Sequence, residues 1–398
     1  MSKIITTTLE KVCSPEKGAI ISGPFGSNIS SKYFVKEGIP VIRGNNLSLS
    51  LDKFYDRGFV FITEEKADEL NCYADKLDLI FTSAGTIGQV GLIPETSLFE
   101  RYVISNKQIR ARVDTSKIDI LYAYYWFASP WIQKLLLLSN KGSTVPLLTL
   151  LEVKNLPISY PEDIKEQHKI ALVLEGITNK IQNNYKINSE LESMAKTIYD
   201  YWFLQFEFPN EEGKPYKSSG GKMVWNEELK QEIPEGWQIG KLNRFIKLDK
   251  GGDWGKGIEE VNYTKKVTCL RGADFPAICG NAKLNAPERY IHEKNSFKIL
   301  NDGDLIIEIS GGSPTQSTGR VCYINNNTLK RFKNEIITSN FCKAICLVDK
   351  EYMYWFYILW CKLYENGVFF KYEGKTTGIK NLLFEMLCAD YLIVVPNV

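Results

Sequence analysis

The feature that most constrains this chain is that it says the same thing twice. The segment IPVIRGNNL, with Arg43 and Gly44, returns as KVTCLRGADF, with Arg271 and Gly272, 228 residues on. DLIFTSAG, from Asp78 to Gly85, returns as DLIIEISG, from Asp304 to Gly311. Ser105-Asn106 is echoed by Ser339-Asn340, the aromatic run from Tyr122 by that from Tyr352, and KGSTVPLLTL around Gly142 by EGKTTGIKNL around Gly374. Each match is weak alone, but their shared order at nearly constant spacing implies a duplicated domain. Each copy is built of short β-branched and aromatic runs punctuated by glycine, with a helical pattern only near Tyr122 and Tyr352, so mixed α+β domains are expected.

Between the copies the texture changes. From Pro161 to about Gln205 there is one glycine, Gly176, and the pattern predicts a single long helix, with Asp163 and Glu166 as a capping box and Pro209 closing the far end. Ile170, Ile177, Leu191 and Ile198 fall on a seven-residue spacing, joined four residues on by Leu174, Ile181, Ala195 and Trp202. This is a coiled-coil seam interrupted by Asn184 and Asn188, residue types that fix register at such positions. A helix of this span would be about 65 Å long, more than one domain needs, and is expected to act as a spacer. The polar stretch after Pro209, NEEGKPYKSSGGKMVWNEELK, is expected to be a linker.

Composition excludes several classes. With 44% hydrophobic and 12% aromatic residues the chain is a folded one. It has no apolar run of the ~18 residues a membrane span needs and no signal-peptide core, so a cytoplasmic protein is expected. The nine cysteines, none in a CxxC pair, are expected as buried reduced thiols. Cys342 and Cys346 are the closest pair, but with only His168 and His292 in the chain a zinc site lacks companions.

No catalytic constellation emerges. EGKTTG at Glu373–Gly378 fails as a phosphate loop, because Phe369 occupies the position of the first required glycine. GPFGSNIS is not a dinucleotide fingerprint. The chain has no Pro-Pro dipeptide, and so lacks the Asn/Asp-Pro-Pro-aromatic grip of amino-methyltransferases. Asp302, Asp304 and Glu308 lack the nearby lysine a nuclease metal site would use, and are expected as a turn leading into a buried strand. The chain is expected to bind without catalysing.

The segments KGAIISGPFGSNISSKYFVKEGIPVIRGNNL, DLIFTSAGTIGQVGLI and GSTVPLLTLLEVKNLPISYP followed by EDIKEQHKI resemble the target recognition domain and spacer of Type I restriction-modification specificity subunits. The resemblance implies two similar globular target recognition domains, residues 1–160 and 229–398, joined by a coiled-coil-type helix over 161–207 and a linker over 208–228. It implies that each domain reads one half of a bipartite DNA site and that the spacer docks modification subunits, with restriction subunits joining that core. S-adenosylmethionine, ATP and Mg are then expected on the partner subunits and no cofactor on this chain. In the family a second long helix follows the second domain and pairs with the first. Here the chain stops two residues after Pro396, so the expectation is either that the sequence is truncated or that another chain supplies the helix that covers the seam. The alternative is a non-catalytic adaptor whose lobes bind protein rather than DNA.

Reading DNA needs hydrogen-bonding groups at base edges and cations on phosphates. The expected contacts in the first domain are Phe25, Ser27 and Asn28, then Arg43, Asn45 and Asn46, and Lys141, Ser143 and Thr144. In the second they are Trp254 and Lys256, Arg271 and Asp274, Gln316 and Arg320, and Lys375 and Thr376. Arg43 and Arg271, recurring at matched positions, are as readily expected to hold the fold as to read a base.

Overall fold

The repeated segments form the same sheets twice. The structure is a computed structural model that describes residues 2–49, 52–138, 147–280, 284–311, 316–376 and 379–396. The chain divides into two compact units, Met1–Asn184 and Tyr185–Val398.

In the first unit one antiparallel sheet runs in the order Ile20–Ser22, Gln108–Ala111, Leu79–Thr82, Val90–Leu92. A second sheet runs Val60–Ile62, Ile39–Ile42, Arg101–Ile104, Tyr73–Asp75, and its pair Ile39–Ile42 with Arg101–Ile104 is parallel. The second unit repeats both. Ile246–Gly251, Cys342–Leu347, Leu305–Glu308 and Val321–Tyr323 form the antiparallel sheet. Glu288–Ile291, Lys265–Leu270 and Ile336–Thr338 form the other, again with one parallel pair, Lys265–Leu270 with Ile336–Thr338. Even the short ribbon of Ile4–Thr8 with Pro157–Pro161 returns as Gln238–Lys241 with Leu392–Val395. The second unit adds a small sheet of Ser310–Gly311, Ile379–Leu382 and Glu373–Thr376.

The aromatic runs pack into the cores, as their helical spacing implies. Tyr124 and Phe127 of the helix Ile120–Phe127, and Phe356 and Trp360 of the helix Met353–Glu365, are fully buried. Both central strands are apolar throughout their buried length, Leu79-Ile80-Phe81 and Leu305-Ile306-Ile307, because both their faces are covered.

One buried carboxylate roots each central strand. Asp78 accepts the Asp75 amide at 2.8 Å, and Asp304 the Asn301 amide at 2.8 Å. In the first unit Asp78 takes its cation from Arg112, directly across the strand pair, by two hydrogen bonds of 2.9 and 2.8 Å. That bonding raises the guanidinium above its ordinary value. In the second unit the register puts Cys346 where Arg112 stood, and its thiol donates to Asp304 at 2.8 Å. The cation is Lys250 instead, on the next strand, with Nζ 2.8 Å from Asp304 and the two side chains only 3% and 4% exposed. The lysine absent from the local sequence of Asp302–Glu308 is therefore present, but as a sealed ion pair at the root of a core strand.

The long helix spans Ile164–Tyr199 and continues as a π-helical turn, Asp200–Leu204. Its start departs from the expected capping box: Asp163 caps the Lys165 amide, while Glu166 accepts from the Ser2 amide and hydroxyl, which outcompete the cap position. Within the first unit the helix docks through a polar stripe, Gln167, Ala171, Glu175, Thr178 and Gln182, at helical spacing. Gln167 accepts the Asp119 amide at 2.8 Å and donates to the Pro161 carbonyl at 2.8 Å. Tyr125 donates to Glu175 at 2.6 Å, and Gln182 donates to Asp52 at 2.9 Å. Burial pushes the Glu175 carboxyl up, but the bonds from Lys53 and Tyr125 outweigh it and leave it below the usual carboxylate range. The last part of the helix belongs to the second unit, where Tyr199 is buried and Lys362 pairs with Asp200 at 2.7 Å.

The consequence is that the heptad stripe stays outside. Ile170, Leu174, Ile177, Leu191, Ile198 and Trp202 are all exposed, as are Asn184 and Asn188, while Ile181 and Ala195 are half-buried. The two asparagines are thus not buried within this chain, because its own units occupy a different face of the helix. A second departure concerns 208–228. Instead of a plain linker, Phe208 stacks on Tyr216 at 4.7 Å and on Trp237 at 4.8 Å, and Met223–Asn226 pairs with Gln231–Pro234. The aromatic residues interspersed among the polar ones supply a local core that the glycine and lysine content conceals. Among the described residues no helix is long and apolar enough to cross a membrane.

Removing one partner of a sealed ion pair costs about 3–5 kcal/mol. Asp304→Ala should lower unfolding stability by that amount in a denaturant titration. Lys250→Ile should do likewise, and adding Cys346→Arg, which rebuilds the first unit's arrangement, should recover a large part of the loss.

Candidate nucleic-acid interface

Each unit carries a cleft at the same place in its frame, of about 460 Å³ in the first and 640 Å³ in the second. Nine lining positions correspond one to one. Arg43-Gly44-Asn45 matches Arg271-Gly272-Ala273, Thr82, Ala84 and Gly85 match Glu308, Ser310 and Gly311, and Ser105-Asn106-Lys107 matches Ser339-Asn340-Phe341. The backbone explains the match. The amide of Ser105 bonds the Ile42 carbonyl at 3.0 Å and that of Ser339 the Leu270 carbonyl at 2.8 Å, which ties the Ser-Asn turn to the strand that precedes each Arg-Gly pair. Gly23 and Gly252 pass so close to the Ser105 and Ser339 carbonyls that any side chain would collide with them.

The Arg-Gly turns are held by their own fourth residue. Asn46 accepts the Arg43 amide at 3.0 Å and donates to the carbonyls of Tyr55 and Arg57 at 3.0 and 2.9 Å. Asp274 accepts the Arg271 amide at 3.0 Å and also holds the Arg271 side chain, at 2.9 Å from Nε and 3.1 Å from Nη2. Asn46 is fully buried and Asp274 nearly so. These two expected DNA contacts are therefore internal caps, because the tight turn needs an acceptor at its fourth residue. Arg43 and Arg271 are half-buried at the cleft wall; Arg43 donates to the Gly58 carbonyl at 3.2 Å and Arg271 to that of Asn285 at 2.8 Å. Hydrogen bonding to Asp274 raises the Arg271 guanidinium above its ordinary value.

On this common frame the lining has diverged. At the floor of the first cleft Gln89, hydrogen-bonded by Thr82 at 2.9 Å, donates to the Gly44 and Leu47 carbonyls at 3.1 and 3.0 Å. At the matching strand positions of the second unit stand Glu308, which lines the cleft, and Arg320 behind it, joined by bonds of 2.8 and 2.7 Å. That pairing raises the Arg320 guanidinium and commits to the fold a residue expected to contact DNA. At the rim, exposed Asn45 becomes exposed Ala273, and exposed Lys107 becomes exposed Phe341. Lys107, Asn106, Asn340 and Phe341 escaped the sequence reading, although the Ser-Asn echo beside them marked the place. Ile379 and Trp254 complete the apolar side of the second cleft.

Several of the other expected contacts are exposed. Phe25 is 92% exposed, and Ser27 and Asn28 are exposed beside it. The Arg289 guanidinium lies over the Trp254 ring at 4.1 Å, and Lys256 sits 4.0 Å from Glu260. Gln316 is exposed. Lys375 and Thr376 form part of the strand Glu373–Thr376. Lys141, Ser143 and Thr144 fall outside the described residues. Of the cysteines, Cys269 and Cys342 have their thiols pushed up to about 12 by burial. Among the described residues no group of three or more metal-ligating side chains assembles.

Residues 12–193 match the model of a family described as the Type I restriction modification DNA specificity domain. The chain is similar to the Type I restriction enzyme MjaIX specificity subunit of Methanocaldococcus jannaschii, at 29% identity over 74% of this chain. It is also similar to the MjaVIII specificity subunit of that organism, at 23% identity over 54% of this chain. The alignments span 65% and 47% of those relatives' own lengths, so the chain covers about two thirds of the first and half of the second. In fold it resembles the crystal structure of a Type I restriction-modification S subunit from M. genitalium, with a TM-score of 0.52 at 14% identity over 99% of this chain and 84% of that one.

The caps and the rim make opposite demands on stability. Asn46→Ala strands three backbone groups and should cost roughly 2–3 kcal/mol. Asn45→Ala, at the exposed neighbouring position, should stay within about 0.5 kcal/mol of the parent in the same thermal unfolding experiment.

Proposed function

We propose that this chain, which is similar to Type I restriction-modification specificity subunits, is the DNA-reading, non-catalytic part of such an enzyme, each unit recognising one half of a bipartite site. The observation that carries this is the pair of clefts. Their frames share the Arg-Gly and Ser-Asn turns and the close-packed glycines, with Asn46 or Asp274 as the cap, while their rims differ at Asn45 against Ala273 and Lys107 against Phe341. Packing alone does not account for differences at these open positions, which the core does not constrain. A reader of two different half-sites has that reason, since base edges are discriminated by the donors, acceptors and apolar groups presented to them.

The exposed stripe of the long helix, from Ile170 through Leu174 and Ile177 to Leu191 and Ile198, is where the modification subunits and a partner helix would dock, because exposed apolar surface of this regularity is unfavourable in water. Methyl transfer from S-adenosylmethionine and ATP-dependent restriction would then reside on those partners, in the cytoplasm.

Single-molecule mapping of methylated bases in cells that carry the modification subunit, with and without this gene, tests the reading. The expected result is a gene-dependent motif of two short halves with a fixed gap; an unchanged methylation pattern would count against it. With purified protein, the logarithm of the duplex binding constant should fall linearly with the logarithm of salt concentration, as phosphate neutralisation requires. Salt-independent binding would favour a protein-binding adaptor.

A further inference from the structure

The exchange of Lys107 for Phe341 alters the kind of contact the second cleft makes. Both residues occupy the same place in the same turn: Ser83 bonds the Lys107 carbonyl at 2.8 Å and Ile309 the Phe341 carbonyl at 2.9 Å. Both are exposed, so neither is required by the core beneath. In the same lining Ala273 replaces Asn45, whose Nδ2 donates to the Gly58 carbonyl at 3.2 Å and whose Oδ1 is the group lost, and Ile379 and Trp254, the latter with Arg289 over its ring at 4.1 Å, present further apolar surface to the same space. Among the described lining residues most of the remaining polar groups are committed: Glu308 is bound by Arg320, Arg271 is held by Asp274 and Ser310 bonds Asn381 at 2.6 Å, while the Ser339 hydroxyl is buried and Asn340 is the one exposed amide on the turn.

The described lining of this cleft offers apolar surface as well as hydrogen-bonding groups to a base. The one apolar group that distinguishes a base pair in the major groove is the thymine C5-methyl. We infer that the second unit reads its half-site in part through a thymine methyl held against Phe341, with Ala273 leaving room for it, whereas the first unit reads at the same place with Lys107 and Asn45. The inference rests on the DNA reading proposed above and names the two positions at which the copies were tuned apart.

The test uses the full chain with its modification subunit and duplexes carrying the mapped motif. Each thymine in turn, in both halves and on both strands, is replaced by deoxyuridine, which removes the methyl and keeps every hydrogen bond. Burial of one methyl predicts about a fourfold weaker Kd at one or more thymines confined to one half. Phe341→Ala and Phe341→Lys should each bind thymine and deoxyuridine duplexes equally well, and both are surface changes that leave the core in place. Uniform binding across all deoxyuridine duplexes would overturn the inference while leaving the bipartite reading intact. So would a methyl effect that persists unchanged in both variants, or one that falls in both halves alike. Failure to find any gene-dependent motif would instead remove the DNA reading itself, and this inference with it.

Discussion

Everything at the two clefts depends on a carboxylate that never reaches them. Asp78 and Asp304 lie buried at the root of the central strand of each unit, each bonded to the amide three residues before it and each neutralised by a cation. The strand that leaves this anchor runs through the core and emerges at Thr82–Gly85 or Glu308–Gly311, on the cleft. A slip of one residue would turn every buried side chain to the opposite face. The anchor therefore fixes which side chains arrive at the cleft and which remain beneath it.

The two solutions for the cation show how strict that constraint is. Where the first unit has Arg112, the second has Cys346, which offers only a weak donor. An unpaired carboxylate at that depth would cost several kcal/mol. The charge is restored by Lys250, one strand further on. Within a single chain the copies have thus exchanged the position of a cation while keeping the anion, the strand and the turn that depends on it. The same contrast recurs nearer the surface, where the pair Thr82 and Gln89 has become Glu308 and Arg320 without moving Gly44 or Gly272 from the cleft wall.

Much of this was legible in the sequence, for identifiable reasons. The duplication, the Arg-Gly turns and the Asp-to-Gly strands left contiguous marks, because a tight turn and a buried strand each restrict several neighbouring residues at once. The long helix was legible because seven-residue spacing is regular. What escaped were relations between distant residues. Lys250 lies 54 positions from Asp304, and the caps Asn46 and Asp274 look like surface polar residues until the turn that buries them is known. The helix is instructive in another way, because its inward face carried no mark in the sequence. An apolar stripe is ordinarily the face that packs on the chain's own core. Here that task falls to Gln167, Ala171, Glu175, Thr178 and Gln182, whose small or hydrogen-bonding side chains carry no hydrophobic signal.

That inversion bears on how such a chain divides its surfaces. A helix that docked on its own unit by leucine and isoleucine would have no apolar face left for anything else. By using hydrogen bonds to bind inward, the first half of the helix keeps Ile170, Leu174 and Ile177 facing out. The price is specificity of geometry: Gln167 and Gln182 must meet their partners at hydrogen-bond distance, so the inward contact tolerates little sliding. Tight, polar docking inward and broad, apolar exposure outward are therefore two consequences of one choice of residues, and a substitution that made the inner stripe more apolar would weaken the distinction between the two faces on which any partner's register depends.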